Sequence, residues 1–356
     1  MRLFLVFFVV SVICCFPARA QQSLEEKNCC IVFVHIGSNI PPYLLVAVEQ
    51  AFVFNQTVPI HIIAERQALN SINWPSYVNC INTEDLPLTR EHYAFIQNVL
   101  HSGFWRVTLE RFLYLDDFIQ KNNCKNVFHL ENDVMLYLDL KEKLHAFETC
   151  YNGMVASTAD CDERFVPGLV YVNNATASNK LSQYITSRAA CYGNDMELLM
   201  QFKNVYYKQH MDYLPILVPS YDRLLKNLSG RTMGRRHLYY TNIDKLGAIF
   251  DAAALGQFFV GIDPKIGPDK PGFLAELSVF NAKYFGFRWE KDVCGRWVPF
   301  ISYAQEEYPI ANLHVHCKNL QYFYSLNKTP PIIPDQYWST LPLFEVPQIK
   351  RLSRAR

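Results

Sequence analysis

The stretch Asn126–Tyr137, Asn-Val-Phe-His-Leu-Glu-Asn-Asp-Val-Met-Leu-Tyr, sets two carboxylates between two apolar runs. Val127, Phe128 and Leu130 precede Glu131, and Val134 to Tyr137 follow Asp133. An apolar run of this kind reads as a buried strand. Carboxylates where such a strand ends are costly unless paired, and a metal is their usual partner. Residues two apart on an extended chain point the same way. Glu131 and Asp133 can therefore grip one divalent cation, directly or through water. Taken alone, the triplet also reads as an ordinary polar turn between strands. A second group lies near the end of the chain. Ala311–His316, Ala-Asn-Leu-His-Val-His, reads as a strand with His314 and His316 on one face, followed by Cys317-Lys318-Asn319.

These groups need elements to position them. Ile31–Ile36 reads as an apolar strand running into Gly37-Ser38. Pro41-Pro42 then opens a helix, with Leu44, Leu45, Val48, Ala51 and Phe52 on its apolar face. Pro59–Ala64 is the next strand, which completes a β-α-β unit and predicts a mostly parallel sheet flanked by helices. Ligands in such sheets bind beyond the carboxyl ends of the strands. That places His35 and Gly37 among the candidate nucleotide contacts, although the loop lacks the G-x-G-x-x-G of dinucleotide folds. Tyr77–Ile81 reads as a third, edge strand.

Residues 84–122 read as mainly helical. Arg106 and Arg111 there either reach a phosphate or nucleobase or remain exposed helix charges. Leu138–Phe147 reads as a short helix and Met154–Ser157 as a strand. Phe165–Val172 is a strand pattern broken by Pro167-Gly168, as at an edge or where a ligand passes close. Asn194 caps a helix over Asn194–Val205, and Asp195 in its first turn either offsets the dipole or projects into a site. Phe250–Phe258 reads as a small-residue helix containing Asp251, Gly256 and Gln257. Gly256 and Gln257 either line a bound sugar or pack the helix.

The chain has 356 residues, of which 50% are hydrophobic, enough for one large α/β domain. Residues 1–20 read as a secretory signal peptide: Arg2, an apolar Leu3–Phe16 and Ala18-Arg19-Ala20. An uncleaved anchor is the competing reading, but the apolar run is short for a span. Taking Arg2 and Arg19 from the 34 basic side chains leaves 32 against 33 acidic ones. So neutral a chain is not expected to bind nucleic acid. No later segment is long and apolar enough to cross a bilayer. Four N-x-Ser/Thr sites, at Asn55, Asn174, Asn227 and Asn327, are expected on the surface as glycan acceptors. Of the 11 cysteines, those after Cys14 and Cys15 are expected to pair in part in an oxidising lumen.

The order of these features resembles that of glycosyltransferases of the GT-A fold, the nucleotide-diphospho-sugar transferases. The resemblance covers most of residues 30–325, and it rests on motif order because each motif is short. It implies a mixed, mostly parallel α/β sheet with a Rossmann-like N-terminal half. Residues 21–29 would be a flexible lead, 30–140 the nucleotide-binding half, 141–325 the acceptor half and 326–356 a tail. It implies metal binding by Glu131 and Asp133 of the D-x-D-type triplet, completed by His314 or His316, with Lys318 on the diphosphate. Glu131 stands where the family has Asp. Asn132, inside the triplet, joins His35, Gly37, Arg106, Arg111, Gly256, Gln257 and Lys318 as expected nucleotide and sugar contacts.

The chemistry fits independently of the resemblance. Charge builds on the diphosphate as the sugar–oxygen bond breaks, and a divalent ion stabilises it. Carboxylates with imidazole suit Mn²⁺ better than Mg²⁺, though Mg²⁺ stays open. An inverting reaction needs a base, with Asp195 preferred over Glu197, Asp251 and Glu276. The expected partners are a UDP- or GDP-sugar donor and a glycan, glycoprotein or glycolipid acceptor. The expected location is the secretory pathway, in the Golgi or ER lumen or secreted. Two rivals stand beside an active transferase: a binding protein of the same fold without turnover, and a secreted metallohydrolase built on the same ligands. Nucleotide-sugar binding with and without Mn²⁺ separates all three.

Overall fold

A computed structural model describes residues 28–98, 103–191, 194–206, 209–222, 236–260 and 278–331. The expected signal peptide, the end of the tail, Asn227 and Glu276 lie outside the described residues.

The core is a seven-stranded sheet in the order β3-β2-β1-β4-β7-β6-β8. Its strands are β1 (Cys30–His35), β2 (Ile60–Ala64), β3 (Val78–Asn82), β4 (Val127–Leu130), β6 (Val155–Cys161), β7 (Arg164–Val172) and β8 (Met211–Tyr213). β1 pairs in parallel with β2 and β4, β2 with β3, and β6 with β8, while β7 runs antiparallel to β4 and β6. The sheet is therefore mixed and mostly parallel, as the sequence predicts, and β3 is an edge strand. Residues on either side of position 140 contribute to this one sheet.

Helices cover both faces, so strands such as β1 and β4 are buried on both sides. β4 shows the logic. Phe128 points to one face, 4.8 Å from Phe147 of the Leu140–Cys150 helix. His129 points to the other, 5.9 Å from Phe112 of the Phe104–Asn122 helix. Each fully buried ring of this size contributes about 2–3 kcal/mol. The helices begin where side chains can take orphan N–H groups: Asp139 accepts from Lys141 and Glu142, and Asn194 accepts from the N–H of Glu197 at 2.9 Å.

Two smaller sheets complete the molecule. β9 (Gly286–Lys291), β10 (Trp297–Tyr303) and β11 (Glu306–Pro309) form an antiparallel meander. β5 (Val134–Leu136) pairs antiparallel with β12 (Asn312–His314), which sets His314 opposite Val134. This ribbon continues directly from the turn that ends β4.

Several expectations are revised by the structure. β7 is a central strand, not an edge. The Pro167-Gly168 break is a bulge, across which Ser157 pairs with Val170 but Thr158 already pairs with Val166. Ser157 and Thr158 close it by donating their hydroxyls to Leu169 and Val166 carbonyls. The small-residue helix begins at Ala254 and runs to Val260, so Asp251 precedes it. The last strand stops at His314, two residues short of His316. Among the described residues no disulfide joins the cysteines from Cys29 to Cys317, and Cys30 shares a hydrogen bond with Cys124 in the core.

Asn55 is not a surface acceptor either. It is 2% exposed. Its amide donates to the carbonyls of Ala51 and Leu138 and accepts from the N–H of Leu140. It is the tie between the end of the Pro42–Phe54 helix and the start of the Leu140–Cys150 helix. Asn55→Ala would leave buried backbone groups unsatisfied and is expected to cost about 2 kcal/mol, read by urea unfolding.

Candidate metal centre

The Glu131-Asn132-Asp133 turn joins β4 of the large sheet to β5 of the ribbon, and the N–H of Val134 closes it by donating to the carbonyl of Glu131. The turn, not an extended strand, is what brings the two carboxylates together. β12 then delivers His314 from the other end of the chain. Its Nε2 is 2.9 Å from Glu131 Oε2 and 3.3 Å from Asp133 Oδ1. One ligand atom from each of Glu131, Asp133 and His314 lies within 4.8 Å of the others. The N–H of Val315 donates to the carbonyl of Asp133 at 2.9 Å, which locks the ribbon to the turn.

Charges alternate outward from this centre. Arg111, on the Phe104–Asn122 helix, donates one guanidinium nitrogen to Glu131 and the other to Asp195 Oδ2, the latter at 2.6 Å. Lys318 donates to Asp133 Oδ2. Its ammonium also lies 5.4 Å from the ring centroid of Tyr43. Burial by itself would raise the Glu131 carboxyl, but Arg111 and His314 overcome it and hold it down at about 2. Asp133 is likewise driven below the usual carboxylate range, with His314 and Lys318 outweighing burial. Burial would lower His314, yet the charges of Asp133 and Glu131 lift it to about 10. His316 goes the other way: burial and then the charge on His314 outweigh the pull of Asp133 and Glu131 and lower it to about 4.

The other expected site residues divide clearly. Asn132 lies beside His35, with 3.0 Å between Asn132 Nδ2 and His35 Nδ1. This joins the triplet to the carboxyl end of β1. The N–H of Gly37 donates to Glu65 at 2.9 Å, and its φ of 128° suits only glycine. Arg106 stays on its own helix, paired with Glu110 at 3.1 Å beside the buried His92 and Asp117, and takes no part in the triad. Gln257 meets His316, with Nε2 3.0 Å from Nδ1. His316 falls in the turn after β12, where the two-residue alternation of a strand no longer applies, so it lies outside the ligand cluster.

The two carboxylates expected as bases are both occupied. Asp195 is 4% exposed, bonded to Arg111 and to the N–H of Met196; burial raises its carboxyl against the pull of Arg111. Asp251 is fully buried and accepts three backbone N–H groups, from Leu255, Gly256 and His314. Both oxygens of each carboxylate are engaged by these donors.

Sequence reasoning missed Tyr43 and Gly168. Tyr43 carried no signal beyond following Pro41-Pro42. Gly168 carried a signal read as an edge or as a place where a ligand passes close; what passes close is the side chain of His314. A Cβ on Gly168 would lie 2.7 Å from His314 Nδ1.

No family model and no curated sequence matches the chain. Solved structures to which it is similar include mouse xyloside xylosyltransferase 1, at 10% identity and TM-score 0.38, with 60% of this chain and 93% of that one covered. The galactosyltransferase LgtC, solved with donor and acceptor sugar analogues, is similar at 14% identity and TM-score 0.37, with 59% and 83% covered. The Streptococcus pneumoniae glycosyltransferase GlyE gives 14% identity and TM-score 0.36, with 60% and 51% covered. Scores of this size decide neither family nor activity, and the site is read from its own residues.

The charge pattern gives a pH signature. His314 rises from 6.5 to about 10, so its contribution to stability is complete below about pH 6.5 and is lost as pH climbs through 10. Glu131 falls from 4.5 to about 2, so its contribution is complete above about pH 4.5 and is lost as pH falls toward 2. A cation that takes His314 as ligand must displace its proton. Cation affinity is therefore expected to rise with pH between 6.5 and 10, with about one proton released per ion. Calorimetry in buffers of different ionisation enthalpy measures that release. His314→Ala should abolish it and His316→Ala should leave it intact.

Proposed function

We propose that this chain is a metal-dependent glycosyltransferase of the secretory pathway, moving a sugar from a nucleotide-diphosphate donor to an acceptor hydroxyl. One observation carries the reading. Two carboxylates and an imidazole from distant parts of the sequence converge beyond the carboxyl end of β4, beside a lysine. Open α/β sheets bind ligands beyond the carboxyl ends of their strands.

The residues fit a divalent cation. Two hard carboxylate oxygens and one imidazole nitrogen form a mixed donor set that favours Mn²⁺ over Mg²⁺. A bound cation of this kind supplies stabilisation of the negative charge on a departing diphosphate. The chain's own groups do the rest. Lys318, held between Asp133 and the Tyr43 ring, offers a positive charge for a diphosphate oxygen. Asn132 faces the end of β1 with its amide oxygen unpartnered, and so can accept from a hydroxyl or ring N–H of the donor. Arg111 stays with Glu131 and Asp195, fixing the first carboxylate rather than reaching a phosphate.

Glu131→Ala and Asp133→Ala are each expected to reduce donor cleavage at least about 100-fold without loss of fold. The assay screens UDP- and GDP-sugars with Mn²⁺ and reads free nucleotide, with circular dichroism as the check on folding. Near-normal turnover in both variants would refute the assignment.

A further inference from the structure

In metal sites the ring nitrogen of a histidine that does not face the ion usually donates to a carboxylate or carbonyl, which sets the ring's orientation. His314 has no such support. Its Nδ1 is buried and makes no hydrogen bond among the described residues. Something else must aim Nε2 at Glu131 and Asp133.

The surroundings of His314 supply it by shape and by backbone bonding. Gly168, in the β7 bulge, lies flat against the ring: a Cβ there would stand 2.7 Å from Nδ1 and 3.2 Å from Cγ. Gly168 is fixed in turn, because its carbonyl accepts the N–H of Glu131 at 2.9 Å. On the other side, a Cβ on Gly256 would stand 2.5 Å from the carbonyl carbon of His314 and 2.9 Å from its nitrogen, so only glycine lets the helix approach the strand. Asp251 joins the two backbones. Its Oδ2 accepts from the N–H of Gly256 at 2.7 Å and from the N–H of His314 at 2.8 Å, while Oδ1 accepts from Leu255 at 2.8 Å. A buried carboxylate is tolerated here because three N–H donors replace water.

We propose that Asp251, Gly256 and Gly168 form a cradle that positions His314 for cation binding, with Asp251 as a positioning residue and not a base. This rests on the metal-site reading above and extends it to residues that touch neither ion nor substrate. It also explains a buried aspartate that the chemistry does not otherwise use. Asparagine at 251 would turn an amide N–H₂ toward backbone N–H donors, and alanine at 168 would push a methyl into the imidazole.

The test uses Gly168→Ala and Asp251→Asn in the full chain, with Mn²⁺ alone as probe. Gly168 does not hold a left-handed φ, so alanine there strains no backbone and the variant should keep its thermal midpoint within a few degrees. Calorimetry should show Mn²⁺ affinity reduced about tenfold or more in both variants. In metal-free protein the ¹⁵N shift of His314 Nε2 should move away from its carboxylate-bonded value. Affinity within twofold of wild type, with an unmoved imidazole signal, would overturn the cradle. If wild type itself binds no Mn²⁺, the transferase reading fails, and the imidazole signal in Gly168→Ala still decides the cradle. If Asp251→Asn does not fold, Gly168→Ala decides alone.

Discussion

Buried charge governs this site. Glu131, Asp133 and Asp195 are carboxylates drawn from water into one small volume, and each would be strongly destabilising alone. Arg111, His314 and Lys318 answer them one for one. Arg111 is the keystone because it ties Glu131 to Asp195 and is itself buried, while His314 lies between Glu131 and Asp133. Its planar fork can meet two carboxylates at once, which a lysine could not do in this geometry. The site is therefore assembled only when the Phe104–Asn122 helix, the turn after β4, the Asp195–Val205 helix and β12 have all come together.

That interlocking ties the chemistry to the fold. β4 ends inside a mixed sheet covered on both faces, between parallel β1 and antiparallel β7, and the chain leaves it through a polar turn. β5 then starts a separate ribbon, so the turn sits where two sheets meet. β12 returns from far along the chain to complete the ribbon. The result is a carboxylate–imidazole cluster whose parts are held in different ways: Glu131 by Arg111, Asp133 by Lys318 and the backbone of Val315, and His314 by the close approach of two glycines.

The secondary elements were largely legible in the sequence, because apolar runs, helix caps and Pro-Pro at a helix start are local signals. The β-α-β opening, the edge position of β3 and the acidic turn after β4 all follow from them. The misreadings arose where a tertiary contact changed a local rule. Asn55 matches a glycan acceptor, but two helices close over it. His316 has the spacing of a strand residue, but β12 ends first. Asp251 and Asp195 have the look of a base, and each is consumed by donors from other elements.

The sequence by itself determined which groups could bind a cation, since residue type sets donor chemistry and the i, i+2 spacing keeps Glu131 and Asp133 adjacent in any compact turn. It also determined a sheet of mostly parallel strands, since alternating apolar runs and amphipathic helices have few other ways to bury themselves. Only the tertiary structure chose His314 over His316, turned Arg111 inward and gave Gly168 its purpose. Those outcomes depend on register and on contacts between residues far apart in the chain, 84 positions for Arg111 and Asp195 and 183 for Glu131 and His314. No local pattern encodes such a distance.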